Sequence, residues 1–256
     1  MDGKRKHQDD ENGEDEVVYP PTKQAKQREA VARARAHPYA KTPVVTGLGT
    51  PGGKPFRYFN SKVGLQRLSN FAKLAAPMHF RGNQFLTSEH AYQSQKVHPG
   101  DVWRFAIDGD LGDIRGFRQF MESETAEKKI TWWGKGAVSM DGVVAKMVVN
   151  PEHNKKLKTP LRLRRLAADG DIEAQSVLWR AILMAKARAD PQYRDILEFS
   201  GDALLVEFDR GAKRAVSRGR NPFWTGLVDK ESGDLFGSNF MGVCQMRNRE
   251  RLAEWF

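Results

Sequence analysis

Residues Leu65 to His98 read LQRLSNFAKLAAPMHFRGNQFLTSEHAYQSQKVH. The stretch begins with a Ser-Asn-Phe step (Ser69, Asn70, Phe71), continues through an extended segment and ends in a helix-like run from Ser88. Thr87 or Ser88 suits the helix N-cap, because a hydroxyl there accepts from the free N–H groups of the first turn. Glu89 and Lys96 lie seven residues apart on this run. They therefore project from nearly the same face, roughly 10 Å apart along the axis. Tyr92 and Gln93 fall on the same stripe. A carboxylate and an amine too far apart to pair directly, flanking a phenol and an amide, form either one wall of a polar pocket or an ordinary solvated stripe.

Working outward, Phe56-Arg57-Tyr58-Phe59 and Met78-His79-Phe80 read as strands, and Arg81-Gly82-Asn83 reads as a hairpin turn into Gln84-Phe85-Leu86. Downstream, Asp101 to Phe120 is broken by Gly109, Gly112 and Gly116 and predicts a short helix with loops. Thr125 to Trp133 predicts a helix with Ile130 and Trp133 toward the core, where Trp132 and Trp179 are also expected. Val143 to Val149 is an apolar run around Lys146, followed by a polar connection from Pro151 to Pro160.

The longest helical signal is Asp171 to Ala189. Ile172, Val177, Leu178, Ala181, Ile182 and Ala185 approximate a 3.6-residue period there, widened by Trp179 and Met184. Pro191 opens a second helix through Phe199, as proline does in a first turn. Gly201 turns the chain into a strand from Ala203 to Phe208, with Glu207 near its end. Asp209 to Pro222 reads as a basic loop (Arg210, Lys213, Arg214, Arg218, Arg220), Phe223 to Val228 as a strand, Glu231 to Asp234 as a turn and Phe240 to Phe256 as a closing helix. The expectation is one helix-rich α+β domain over 56–256 with a few short strands.

Residues 1–55 have a different character. Met1 to Gln27 mixes Lys4-Arg5-Lys6 with an acidic block and carries few large apolar residues, so burial cannot offset the entropy of ordering it. Ala25 to Ala36 suits a short basic helix, and the prolines and glycines from Pro38 to Gly53 read as linker. A disordered charged tail is expected, with Lys4-Arg5-Lys6 either a nuclear-import or RNA-contacting patch or simply solvated.

Composition sets limits on function. The chain has 256 residues, a formal net charge of +10 and one cysteine, Cys244. A single cysteine excludes an intrachain disulfide and argues for an intracellular, cytoplasmic or nuclear setting. No run approaches the roughly 18 apolar residues of a membrane span, and the N-terminus lacks a secretory apolar core. The basic balance favours nucleic acid or phosphorylated ligands without choosing between them. P-loop, dinucleotide-fold, HExxH, GxSxG and paired-cysteine signatures are absent, and six scattered histidines argue against a structural zinc site.

The blocks that remain resemble the NADAR domain family, also called YbiA-like. Its pattern runs from a Ser-Asn-Phe step to a Glu-His-Ala-Tyr-Gln helix with a following lysine, then a Trp-containing helix and a Gly-Asp strand ending Val-Glu. A Trp-x-Gly step and a Gly-x-Asn-x-(Leu/Met)-Gly motif close it. This chain carries Ser69-Asn70-Phe71, Ser88-Glu89-His90-Ala91-Tyr92-Gln93 with Lys96, Trp179 with Met184 and Lys186, and Gly201-Asp202 with Val206-Glu207. Phe223-Trp224-Thr225-Gly226 and Gly237-Ser238-Asn239-Phe240-Met241-Gly242 with Arg247 follow. The match spans about 56–255, and the order of the blocks is that of the family.

The resemblance implies a hydrolase of N-glycosidic bonds. Its substrate is either ADP-ribosylated guanine, in nucleic acid or nucleotide, or a related ADP-ribose conjugate, with a phosphoribosyl-type riboflavin-pathway intermediate as the alternative. A rival of another class is an inactive module that binds ADP-ribose or nucleic acid. Cleaving a ribose C1–nitrogen bond calls for stabilised positive charge at the sugar and a proton for the departing nitrogen. Glu89, ionised at a helix N-terminus, suits the first role and Glu207 the acid–base role. Lys96 suits a Schiff base with ring-opened ribose if burial lowers its pKa.

Trp224 suits base stacking, and Asn70 and Asn239 suit hydrogen bonds to ribose or phosphate. Ser69, Tyr92, Gly237, Gly242 and Arg247 complete the expected binding set. No metal or redox cofactor is expected. One departure stands out: Asn221 occupies the place before Trp-x-Gly where family members commonly carry an Asp, after a basic insertion. That insertion, residues 210–220, and the basic tail favour a polyanionic partner over a small metabolite.

Overall fold

Three short parallel or antiparallel strand pairs and two long helices frame the fold in a computed structural model of the chain, which describes residues 56–62, 64–113, 140–166, 170–229 and 234–255. The expected tail over 1–55, the helix from Thr125 to Trp133 with Trp132 and Ile130, and most of the Glu231–Asp234 turn lie outside the described residues.

Strand β1 (Phe56–Phe59) pairs in parallel with β4 (Leu204–Glu207), setting Phe59 beside Glu207. Strands β2 (Met78–Phe80) and β3 (Asn83–Phe85) form the expected antiparallel hairpin, one residue earlier in its second strand than the sequence suggested. Arg81 and Gly82 at its turn both adopt positive φ, as a tight two-residue turn requires. A third pair joins β5 (Leu227–Val228) to β6 (Leu235–Phe236).

Helix α1 (Ser88–Gln93) continues as a 3-10 turn over Ser94–Lys96, and another 3-10 segment covers Pro99–Phe105. The apolar run around Lys146 is helix α2 (Met140–Val148), followed by the single turn α3 (Pro151–Asn154). Helix α4 (Ile172–Ala189) is capped by Asp171, whose carboxylate accepts from Glu173 and Ala174 N–H. Pro191 opens α5 (Pro191–Phe199) with Asp190 as its N-cap. The closing helix is α7 (Phe240–Trp255).

Three expectations about local structure are corrected. The basic loop contains a helix, α6 (Ala212–Ser217), because Ala-Lys-Arg-Ala favours helix more than its charge suggests. The strand expected from Phe223 shrinks to Leu227–Val228. The carbonyls of Phe223, Trp224 and Thr225 accept instead from Phe240, Met241 and Asn239, serving the first turn of α7 in place of a strand ladder. Along α4, Ile172 and Val177 are 57% and 50% exposed, so they do not join the apolar face formed by Leu178, Trp179, Ile182 and Leu183.

One hydrophobic core holds the elements together, with Phe59, Leu68, Phe85, Trp179, Leu183, Tyr193, Leu205 and Met241 among its members. Helix α7 packs on β4, α4 and α5, while α4 packs on the β2–β3 hairpin and α1, and α1 packs on α2. Gly242 makes the α7–β4 contact possible: a Cβ there would sit 2.1 Å from the Leu205 carbonyl oxygen. Among the described residues no helix is long and apolar enough to cross a membrane.

Candidate active site

Helix α1 supplies the first wall. The Thr87 hydroxyl accepts from His90 N–H at 3.2 Å, the N-cap bond that fixes where the helix starts. Glu89 then falls in the first turn. Its N–H donates to the Asn70 carbonyl at 3.0 Å, and its Oε1 accepts from Gln93 Nε2 at 2.7 Å. Because the helix tightens after Gln93, Lys96 no longer follows the regular spacing from Glu89. Its Nζ lies 4.6 Å from the centre of the Tyr92 ring, a cation–π arrangement.

Behind Lys96 stands an aromatic cluster. Tyr92 stacks on Trp179 with centroids 4.6 Å apart, and its hydroxyl donates to Gln175 Oε1 at 3.3 Å. Trp224, half-buried, meets Tyr92 and Trp179 edge-on at 5.8 and 6.1 Å and rests against Phe240. Trp179 and Tyr92 are core residues, while Trp224 is their partly open edge.

Glu207, the last residue of β4, supplies the second carboxylate. Asn239 holds it from behind: its Oδ1 accepts from Glu207 N–H at 3.0 Å and its Nδ2 donates to Leu205 O at 2.8 Å. Asn239 thus spends one donor and one acceptor of its amide on β4 backbone, which positions Glu207. The left-handed φ of +50° at Asn239 is the conformation that aims its side chain there, one that asparagine tolerates well.

Glu89 and Glu207 are only 6% and 8% exposed, and the Glu89 charge is felt at Glu207. Burial pushes the Glu207 carboxyl up to about 8; the Glu89 charge and, more weakly, Asp209 add to the rise, against the cations Lys146 and Lys186. Burial also raises Glu89, but there Lys146, the Gln93 amide and Lys96 all favour the carboxylate. The helix N-terminus acts in the same sense. Both carboxyls are thus raised by burial; Glu207 keeps its proton up to about 8, while at Glu89 the neighbouring cations and the Gln93 amide work against the rise.

Lys146 was not singled out from the sequence, where it was only a lysine inside an apolar run. In the structure it is the foremost cation acting on both carboxyls. It reaches them because α2 lies against the Ser-Asn-Phe step. Gly142 sits so close to Phe71 that a Cβ would approach its Cα to 2.9 Å, and Lys146 Nζ is 5.6 Å from the Phe71 ring centre. No spacing rule links residue 146 to residues 89 and 207; only the contact between α1 and α2 does.

The remaining expected residues separate into two groups. Ser69 and Asn70 are buried beside Glu89, and Asn70 Oδ1 is a buried acceptor with no hydrogen-bond partner among the described residues. Gly237 turns β6 into α7, and Gly242 sets the α7–β4 distance, so both act through backbone placement. Arg247 is exposed and donates to Ser176 Oγ at 3.0 Å, tying α7 to α4. Asn221 exchanges hydrogen bonds with Ser238 at 2.9 and 3.0 Å, bracing the segment before Trp224. Asp209, two residues past Glu207, accepts from Thr225 Oγ1 at 3.1 Å. Among the described residues no cluster of His, Cys, Asp and Glu is placed to hold a metal ion.

The chain is similar to the E. coli protein YbiA. The likeness is to that protein's NMR structure, at 22% sequence identity, covering 78% of this chain and 87% of that one with a TM-score of 0.40. No family model matches the chain. No curated protein matches it.

Proposed function

We propose that the chain is an N-glycosidase of the NADAR type that cleaves the ribose C1–nitrogen bond of ADP-ribosylated guanine. The observation that carries this reading is the pair of buried carboxyls, Glu207 raised to about 8 and Glu89 backed by Lys146, Gln93 and Lys96, beside an aromatic edge. Glu207, protonated, donates to the departing base nitrogen; Glu89, ionised, faces the positive charge that grows on the sugar as the bond breaks. Trp224 offers its open edge to the base. Asn70 Oδ1, unengaged beside Glu89, accepts from a ribose hydroxyl, and Lys146 neutralises phosphate or steadies the Glu89 carboxylate.

The basic segment between Glu207 and Trp224 supports a nucleotide or nucleic-acid substrate over a small free metabolite. Arg210, Arg214, Arg218 and Arg220 are all exposed there, whereas Lys213 is engaged with Asp229. Phosphate binding draws on such charge.

Incubation with guanine-ADP-ribosylated oligonucleotide, with free ADP-ribose conjugates and with riboflavin-pathway phosphates, followed by analysis of released base or sugar, tests the proposal. Release from the first substrate is expected. Release from the riboflavin-pathway phosphates alone would replace it with the metabolite activity. Tight nucleic-acid binding without any release would replace it with a binding module.

A further inference from the structure

Lys186 lies in the last turn of α4 at 0% exposure, and the chemistry assigned above does not use it. We propose that Lys186 is a positioning residue: its buried ammonium clamps the turn that carries Ser69 and Asn70 and so sets where Glu89 stands.

The turn needs such a clamp. Gln66–Leu68 is a single 3-10 turn whose end leaves carbonyls without helical partners and carries partial negative charge. Lys186 Nζ donates to Arg67 O at 2.8 Å and to Ser69 O at 2.9 Å. Gln245 Nε2, from α7, donates to the carbonyl between them, Leu68 O, at 2.8 Å. Three successive carbonyls are thus held by side chains of two long helices. The next carbonyl, Asn70 O, takes the Glu89 N–H, and the Asn70 side chain presents its unengaged Oδ1 beside it. Displacing the turn displaces both groups.

A neutral donor suffices for one of these carbonyls, as Gln245 demonstrates, so charge is what distinguishes Lys186. The groups facing that charge come from each packed element: Arg67 on the turn, Asp190 at the end of α4, Glu207 on β4, and Tyr193 on α5, whose ring centre is 4.5 Å from Nζ. Arg67 is itself paired with Asp190 at 2.6 Å. Burial brings the Lys186 ammonium down to about 7, with Asp190 and Glu207 opposing the fall and Arg67 adding to it. The neutral amine retains hydrogens for both carbonyls but loses the charge that strengthens those bonds. It also loses its downward pull on Glu207.

The catalytic part of this inference rests on the N-glycosidase reading; the structural part does not, and the experiment separates them. In the unaltered chain, the backbone amides of Asn70 and Glu89 are followed by NMR against pH together with the Lys186 side-chain carbon beside Nζ. A shared midpoint is expected, and amides that stay still while Lys186 titrates would overturn the clamp. Cleavage of guanine-ADP-ribosylated oligonucleotide is then compared for Lys186→Met and Gln245→Leu. Lys186→Met is expected to lower kcat at least tenfold and to remove the titration near 7 from the Asn70 and Glu89 amides. Gln245→Leu, which loosens the same turn without touching charge, keeps that titration. Amides that still titrate near 7 in Lys186→Met overturn the proposal. Should that variant not fold, the titration of the unaltered chain decides. Should the unaltered chain cleave nothing, the functional reading fails while the amide titration still tests the clamp.

Discussion

Asn239 and Glu207 are joined by a single 3.0 Å hydrogen bond from the glutamate backbone N–H to the asparagine Oδ1, and this bond fixes the end of β4 on the first turn of α7. The same asparagine reaches back to Leu205 O, so one side chain satisfies two groups of a strand whose sheet partner is β1. Asn239→Ala leaves buried β4 groups unpaired. The expected cost is about 1–3 kcal/mol of stability, read by urea denaturation. Glu207-dependent cleavage falls with it, whereas Arg247→Ala, at an exposed site on the same helix, changes both little.

Glu207→Gln keeps the side-chain shape and removes the proton to be donated. Cleavage is expected to fall by about 10²–10⁴-fold. In the unaltered protein the rate declines as pH rises through about 8, the value to which burial lifts Glu207. That alkaline limb disappears in the variant. A limb that persists in Glu207→Gln assigns the proton to another group.

The same carboxyl ties stability to pH. Its folded value of about 8 stands above its ordinary 4.5, so across that window the folded state holds a proton that the unfolded state has given up. Stability contributed by the neutral form is complete below about 4.5 and is lost as pH rises through about 8. Glu207→Gln, neutral throughout, is therefore expected to melt above the unaltered protein by at least about 4 °C above pH 8, with the gap closing toward pH 4.5. Calorimetry across this range checks the sign.

Glu89→Gln tests the other carboxyl. Loss of its charge is expected to lower kcat by about 100-fold, on the scale of a removed transition-state contact, with little change in KM. Trp224→Ala is expected to act the other way, raising KM by about 10-fold or more through lost base stacking.

Lys96 carries the covalent alternative. Borohydride added during turnover traps an imine if ring-opened ribose condenses with an amine. An adduct present in the unaltered chain and absent in Lys96→Ala assigns it to Lys96. Full cleavage by Lys96→Ala excludes that route, and loss of the adduct only in Lys146→Ala moves it to α2.

Much of the fold was legible locally. Pro191 marks the start of α5 and Thr87 the cap of α1, because proline and a capping hydroxyl act on the backbone beside them. Glu89 and Gln93 could be read as neighbours from their spacing, and they are hydrogen-bonded. What the sequence concealed depends on distant segments. Phe223 to Thr225 has strand composition, yet its carbonyls are claimed by α7. The two bonds by which Asn239 holds β4 join residues more than thirty positions apart, and no local spacing announces them. Lys146 becomes part of the site only through helix packing, and Lys186 turns inward although a long helix usually presents lysine to water.

The parallel pairing of β1 with β4 has a consequence for how the protein is made. Asn60 and Phe208, hydrogen-bonded just beyond the paired strands, are separated by 148 positions in the chain. A ribosome delivers β1 well before its partner strand and the α7 asparagine that holds Glu207. Glu89 can therefore be in its helix before the second carboxyl is in place. The carboxyl pair, and with it any chemistry that needs both, is assembled only as α7 docks.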